Sequence, residues 1–158
     1  MNKIITSSDS PQVIAPPPSI YLIGIGIGVV LDWLKPLPFL AENVVVPPGA
    51  VIIAISVIFI VAAFREFIKA KTNIDVRKPT TSIVSAGPYR FSRNPIYLSM
   101  TLLTIGIAVL ANTLWIFVML VPILFTIQFG VIMREEAYLT KKFGEEYLRY
   151  KARVRRWI

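Results

Sequence analysis

Four long apolar runs alternate with polar segments along the chain. The first centres on Tyr21-Leu-Ile-Gly-Ile-Gly-Ile-Gly-Val-Val-Leu31. Alone it falls short of the ~20 residues a bilayer needs, but extension through Trp33 toward Phe39 predicts a span over residues 20–39. Its Gly24 and Gly28 have the Gly-x-x-x-Gly spacing that lets a neighbouring helix approach closely. The second run, from Gly49 to Arg65-Glu66, predicts a span over 49–66. The third follows Asn94-Pro95 and turns at Ala111-Asn112-Thr113, giving 95–111. The fourth, 113–134, carries Pro122 near its middle, which frees a carbonyl and predicts a kink that opens a cleft toward one end. Residues 1–19 are polar and then proline-rich (Pro11, Pro16-Pro17-Pro18), and read as disordered, then extended. They do not resemble a cleaved signal peptide, since the apolar run begins too far in and is followed by Asp32-Trp33. The pattern predicts an all-α polytopic membrane protein: one domain over 20–158, with about four transmembrane helices, a polar loop at 67–94 and a tail at 135–158.

In the tail, the fourth helix is predicted to run past Met133 and stop at Gly144, a residue suited to a C-cap. A short amphipathic helix then sets Tyr147, Tyr150, Val154 and Trp157 on one face and basic residues on the other. That pattern predicts a helix lying in the headgroup plane, with Arg153, Arg155 and Arg156 attracting anionic lipid.

Composition narrows the chemistry. The chain is 55% hydrophobic, with mean hydropathy +0.66. Its net charge of +8 is concentrated at the ends of apolar runs, and no nucleic-acid-reading motif is present. The loop between the second and third spans holds Arg65, Lys69, Lys71, Arg77, Lys78, Arg90 and Arg93; the tail holds eight more basic residues, whereas the two short hairpins hold Lys35 alone. The positive-inside rule therefore predicts a multi-pass integral membrane protein whose polar loop, tail and both termini face the cytoplasm. There is no Cys and no His. Disulfides, thiolate nucleophiles and Cys-ligated zinc are excluded, as are the usual general base and the commonest transition-metal ligand, and no metal is expected. Catalysis must use carboxylates, arginines, tyrosines, hydroxyls or backbone groups.

Two stretches carry such groups. The first is Gly87-Pro88-Tyr89-Arg90-Phe91-Ser92-Arg93-Asn94-Pro95-Ile96-Tyr97. Asn94 is placed to cap the third helix and Pro95 to begin it. A helix start beside Arg93 offers free N–H donors and positive potential, which suit an anion. The plainer alternative is a basic loop that only fixes orientation, but it leaves Gly-Pro-Tyr, Asn-Pro and Tyr97 without a purpose. The second stretch is Glu135-Glu136, two acids at a helix end where cations are preferred. Either Arg134 neutralises one of them or they meet a bound cation, and ionisable groups at the edge of a span favour the latter.

Gly-Pro-Tyr-x-x-x-Arg-Asn-Pro-x-Tyr (87–97), a helical hairpin, and Glu-Glu-x-x-Leu-x-x-x-Phe-Gly-x-x-Tyr-x-x-Tyr (135–150) together resemble the isoprenylcysteine carboxyl methyltransferases. The related phospholipid N-methyltransferases share the plan, and the resemblance covers about residues 81–157. Where the familiar eukaryotic enzymes have Arg-His-Pro, this chain has Arg93-Asn94-Pro95. The resemblance implies an enzyme using S-adenosylmethionine, with S-adenosylhomocysteine as product and a lipophilic or lipidated acceptor drawn from the membrane. It implies cofactor contacts from Gly87, Pro88, Tyr89, Arg93, Asn94, Pro95, Tyr97, Glu135 and Glu136, with Arg93, Tyr97 and Glu135 at the reaction centre. Glu135 or Glu136 would meet the cofactor ammonium, Arg93 and Asn94 its carboxylate, and Tyr89 and Tyr97 the adenine or sulfonium. A carboxylate acceptor is expected, because it needs no general base in a chain without histidine. The alternatives are a lipid-amine N-methyltransferase on the same architecture, an NADPH-dependent membrane reductase using Arg77-Lys78, and a non-catalytic scaffold.

The charge distribution makes a direct prediction. Topology reporters fused after Lys78 and after Ile158 read cytoplasmic, and one at Asn112 reads the opposite side; a cytoplasmic signal at Asn112 breaks the four-span arrangement.

Overall fold

The structure, a computed structural model, describes residues 9–41, 44–75 and 78–158. Among these it is entirely helical: α1 (Pro17–Leu34), α2 (Val46–Lys69), α3 (Pro95–Leu110), α4 (Leu114–Ile127), α5 (Met133–Phe143) and α6 (Glu145–Arg153). A π-helical turn, Gln128–Ile132, joins α4 to α5 without a break. Three helices are long and apolar enough to cross a membrane: α1, α2 and the continuous Leu114–Phe143 helix. The fourth apolar helix, α3, has 16 residues and is shorter.

Local chemistry explains the boundaries. α1, α2 and α3 each open with proline in the first turn, where a missing N–H removes no helical bond. The Thr113 side chain caps α4 by accepting from the Trp115 backbone N–H. At the turn between α3 and α4, Asn112 adopts a positive φ of 50°. Its Oδ1 accepts from the Leu40 N–H at 2.9 Å while its Nδ2 donates to the Leu40 carbonyl at 2.8 Å, tying the first hairpin to the second. Gly144, at φ 53°, ends α5 as expected.

α1 packs on α4 and α2 on α3, with α3 and α4 forming the hairpin between them. Small residues set these distances. A Cβ at Gly28 would stand 3.1 Å from the Ile116 backbone, and one at Gly49 3.0 Å from the Leu110 backbone N. Gly24 faces Ile123, a core side chain. The Gly-x-x-x-Gly spacing thus marks the α1–α4 seam.

Several boundaries differ from expectation. α1 begins at Pro17 and ends at Leu34, short of residue 39, because Pro36 and Pro38 stop it. α2 exceeds its predicted range at both ends. α4 continues as α-helix past Pro122, and the departure from regularity is the π turn beyond it. The expected disordered stretch 1–19 divides: residues 1–8 lie outside the described residues, while 9–16 are docked. The Ile14 N–H donates to the Gly130 carbonyl, Arg134 Nη1 donates to the Gln12 carbonyl, and Asp9 pairs with Lys142. The apolar face of the amphipathic tail helix packs on the protein. Tyr147 and Tyr150 are buried, the helix ends at Arg153, and the last residues run back across the bundle.

The glycine contacts carry a stability prediction. Gly28→Ala forces backbone against backbone and lowers stability by ~1–3 kcal/mol. Gly26→Ala, with nothing within 4 Å of its Cβ, is neutral or slightly stabilising. Thermal unfolding of both variants in detergent compares them directly.

Candidate active site

The loop before α3 is shaped by its own sequence. Gly87 opens a 3-10 turn, Gly87–Arg90, at φ 56° with Glu66 against its Cα, so a side chain there would be both strained and crowded. The turn buries Tyr89, whose ring meets Phe67 edge-on at 5.6 Å and whose carbonyl accepts from the Tyr150 hydroxyl at 2.9 Å. Arg90 is exposed and turned away. Asn94 occupies the N-cap position of α3, but its side chain does not cap. Instead Nδ2 donates to the Arg156 carbonyl at 2.9 Å, a correction to the expected capping role. The Asn94 N–H is taken by Ser92 Oγ at 3.1 Å.

The two glutamates separate. Successive residues on a helix point about 100° apart, and here that rotation decides their surroundings. Glu135 Oε1 accepts a 2.6 Å hydrogen bond from the Tyr97 hydroxyl. Tyr97 is in turn held through its backbone, because the Tyr21 hydroxyl donates to the Tyr97 carbonyl at 3.1 Å. Glu136, 6% exposed, faces the tail. Arg156 grips it in a two-pronged pair, Nε to Oε1 and Nη2 to Oε2 at 2.8 Å each. Arg93 Nη1 stands 3.2 Å from Oε1 and Lys151 Nζ 3.5 Å from Oε2. The hydrogen bond to Glu136 raises the pKa of Arg156 further, so this pair stays ionised.

A cavity of about 520 Å³ lies between the start of α1, the end of α2, the 73–84 segment, the start of α3, α5 and α6. Tyr89, Arg93, Asn94, Tyr97, Glu135 and Glu136 line it, so six of the nine expected cofactor residues converge. Gly87, Pro88 and Pro95 stand outside the lining. Residues missed from sequence include Tyr138, Tyr147 and Tyr150, the aromatics Phe64 and Phe67, Pro16 to Pro18, and residues from 73–75 and 80–84. The tyrosine spacing in α6 was visible, but an amphipathic face looks the same whether it meets lipid or protein. Burial pushes the Tyr147 phenol up to about 12 and those of Tyr89 and Tyr150 higher still. All three remain neutral near pH 7, so none of them is a base.

The site offers both signs of charge. Arg93 has a side chain only 8% exposed, and its Nε and Nη1 make no hydrogen bond within the protein. Buried donors of this kind are costly to leave unsatisfied, and Arg93 is among the residues that line the cavity. Glu135 presents a carboxylate to the same space. A ligand bearing one anionic and one cationic group fits this donor set.

A family model described as phospholipid methyltransferase matches residues 45–146, from the start of α2 into α6, with both the 87–97 loop and Glu135-Glu136 inside it. The chain belongs to that family. It is therefore, by family, a membrane methyltransferase. An uncharacterized protein of Haemophilus influenzae is 46% identical over 63 residues, covering 39% of this methyltransferase and 98% of the relative. No solved structure matches. α1 and the last residues, which wall the cavity or clamp its loop, lie outside the family match.

The different partners of the two acids predict different variants. Glu135→Gln lowers S-adenosylhomocysteine affinity about tenfold to a hundredfold, the loss of one charge-assisted bond, with thermal stability kept. Glu136→Gln mainly lowers stability, because it leaves Arg93 buried beside a neutral group. Calorimetric titration together with thermal unfolding separates them, and equal behaviour of the two contradicts the division.

Proposed function

We propose that this methyltransferase moves the methyl group of S-adenosylmethionine to a lipophilic acceptor at the cytoplasmic membrane face, releasing S-adenosylhomocysteine. The observation that carries the reading is Arg93, buried with two donors that make no hydrogen bond, in one cavity with Glu135. Arg93 and Asn94 would hold the cofactor carboxylate, and Glu135, positioned by Tyr97, the ammonium. Tyr89 and Tyr147 supply ring faces for the adenine or the sulfonium. The bound cofactor brings an already electrophilic methyl group, so the protein's part is alignment and exclusion of water. Phe64 and Phe67 at the end of α2 give the cavity an apolar wall suited to a lipid acceptor.

For the acceptor, charge balance supports an amine. Among the described lining residues Arg93 is the one cation, beside the carboxylates of Asp75 and Glu135, with Glu136 already paired to Arg156. An amine must lose a proton, and Asp75 is a lining carboxylate that could take it. The carboxylate acceptor is the second reading, supported by its needing no base. For a reductase, Arg77 lies outside the described residues and Lys78 is exposed and off the cavity wall, which gives that reading no support.

Titrating the purified protein with S-adenosylhomocysteine and with NADPH tests the cofactor. Incubating lipid extracts with labelled S-adenosylmethionine, followed by mass spectrometry of the product, distinguishes an N-methyl amine from an ester. Arg93→Ala reduces methyl transfer by about a hundredfold or more with the protein still inserted and monodisperse. Arg93→Lys rescues in part, since lysine keeps the charge and loses the planar fork. Arg90→Ala is mild. An Arg93→Ala variant as active as the parent removes the loop from the active site.

A further inference from the structure

We propose that Arg156 is a positioning residue for the active site: by taking both oxygens of Glu136 it limits Arg93 to a 3.2 Å ion pair there and keeps its Nε and Nη1 free of hydrogen bonds, in a residue that lines the cavity. The inference rests on the reading that Arg93 binds the cofactor carboxylate. It begins with a competition. Glu136 is a buried carboxylate with two oxygens and three basic neighbours. Arg156 takes both oxygens with hydrogen-bond geometry, at 2.8 Å each. Arg93 is near enough for charge attraction at 3.2 Å, yet its Nη1 and Nε bond to nothing. Lys151, at 3.5 Å and with a side chain 41% exposed, is a weaker partner. Without the Arg156 fork, Arg93 is the better-placed group to pair with Glu136, and a two-pronged pair there would draw its guanidinium off the cavity wall.

The fold holds Arg156 in place independently of this pair. The Arg93 N–H donates to the Arg155 carbonyl at 3.0 Å, and Ser92 Oγ and Asn94 Nδ2 donate to the Arg156 carbonyl at 3.3 and 2.9 Å. Trp157 Nε1 donates to Gln128 Oε1 at 3.1 Å in the π turn. The tail backbone therefore stays docked on the loop when the Arg156 side chain is shortened. A change in that side chain acts through Glu136 and Arg93 rather than by releasing the tail.

The test uses the full-length protein in detergent and four forms: parent, Arg156→Ala, Arg156→Lys, and Arg156→Ala combined with Glu136→Gln. The expected result for Arg156→Ala is S-adenosylhomocysteine affinity lower by about tenfold or more, with partial recovery in Arg156→Lys. The double variant also recovers, because its neutral amide at position 136 no longer competes for Arg93. A merely structural Arg156 gives the opposite pattern, with the second substitution deepening the loss. The Arg93 Nε–H resonance, followed by NMR without ligand, reads the same event directly. It shifts in Arg156→Ala and returns toward the parent position in the double variant. If the parent fails to bind S-adenosylhomocysteine, the cofactor reading falls while the resonance still decides whether Arg93 changes partner. If the double variant does not fold, the single variants decide by the same resonance. An unmoved Arg93 signal in Arg156→Ala, or unchanged affinity in a parent that binds, overturns the proposal.

Discussion

One buried carboxylate, Glu136, organises the end of this bundle where the candidate site lies. It collects Arg93 from the start of α3, Lys151 from α6 and Arg156 from the tail. Such a cluster is weak evidence for stability, because desolvating the ions offsets much of their attraction. Its consequence is local: Glu136 accepts a close two-pronged pair from Arg156, beside a tail backbone that its own hydrogen bonds dock on the loop. The tail carbonyls of Arg155 and Arg156 then fix the Ser92-Arg93-Asn94 backbone. The position of the loop at the mouth of α3 is thus held by backbone carbonyls of residues far from it in sequence.

The π turn Gln128–Ile132 is the second fixed point. A π turn inserts an extra residue per turn and locally shifts the helix face, here just before the two glutamates. Both chain ends meet it: Ile14 hydrogen-bonds to the Gly130 carbonyl and lies where a Gly130 Cβ would fall, and Trp157 bonds to the Gln128 side chain. The proline-rich N-terminal segment then continues along the cavity, with Pro11 and Pro16 to Pro18 in its wall. Irregular helix geometry, a glycine, Ile14 and Trp157 therefore coincide at one level of the bundle, beside the candidate site.

What could be read from sequence was what depends on local pattern. Apolar runs, Pro95 at a helix start and Gly144 at a helix end are each set by residues within a turn of themselves, and all three stand. The convergence of the 87–97 loop with Glu135-Glu136 was legible because two motifs had to meet. Roles set by long-range partners were not legible. Nothing in the order Glu135-Glu136 says which acid faces Tyr97 and which faces Arg156, since that depends on the phase of a helix carrying an unforeseen π turn. Asn94 has the ideal type for a cap, yet a carbonyl from the tail recruits its side chain. Arg156 read as a lipid-attracting charge, because exposure cannot be inferred for a cation whose buried partner lies 20 residues earlier.

The shortness of α3 connects fold to chemistry. Sixteen residues at 1.5 Å each make a helix of about 24 Å, against ~30 Å of hydrocarbon. Its neighbours α2 and the Leu114–Phe143 helix are longer and stand past its N-terminal end, leaving a recess over Asn94 and Pro95. The recess is where the cavity lies, walled by the end of α2, α5 and α6. A polar cofactor arriving from water and an acceptor anchored in lipid can meet only near the boundary of the two phases. A helix that stops short of that boundary supplies both the depression and, at its first turn, the backbone N–H groups and Arg93 that favour an anion. The loop that fills the shortfall has no membrane-spanning helix of its own to hold it. That is why its backbone is held from the tail, and why the buried pair at Glu136 sits where it does.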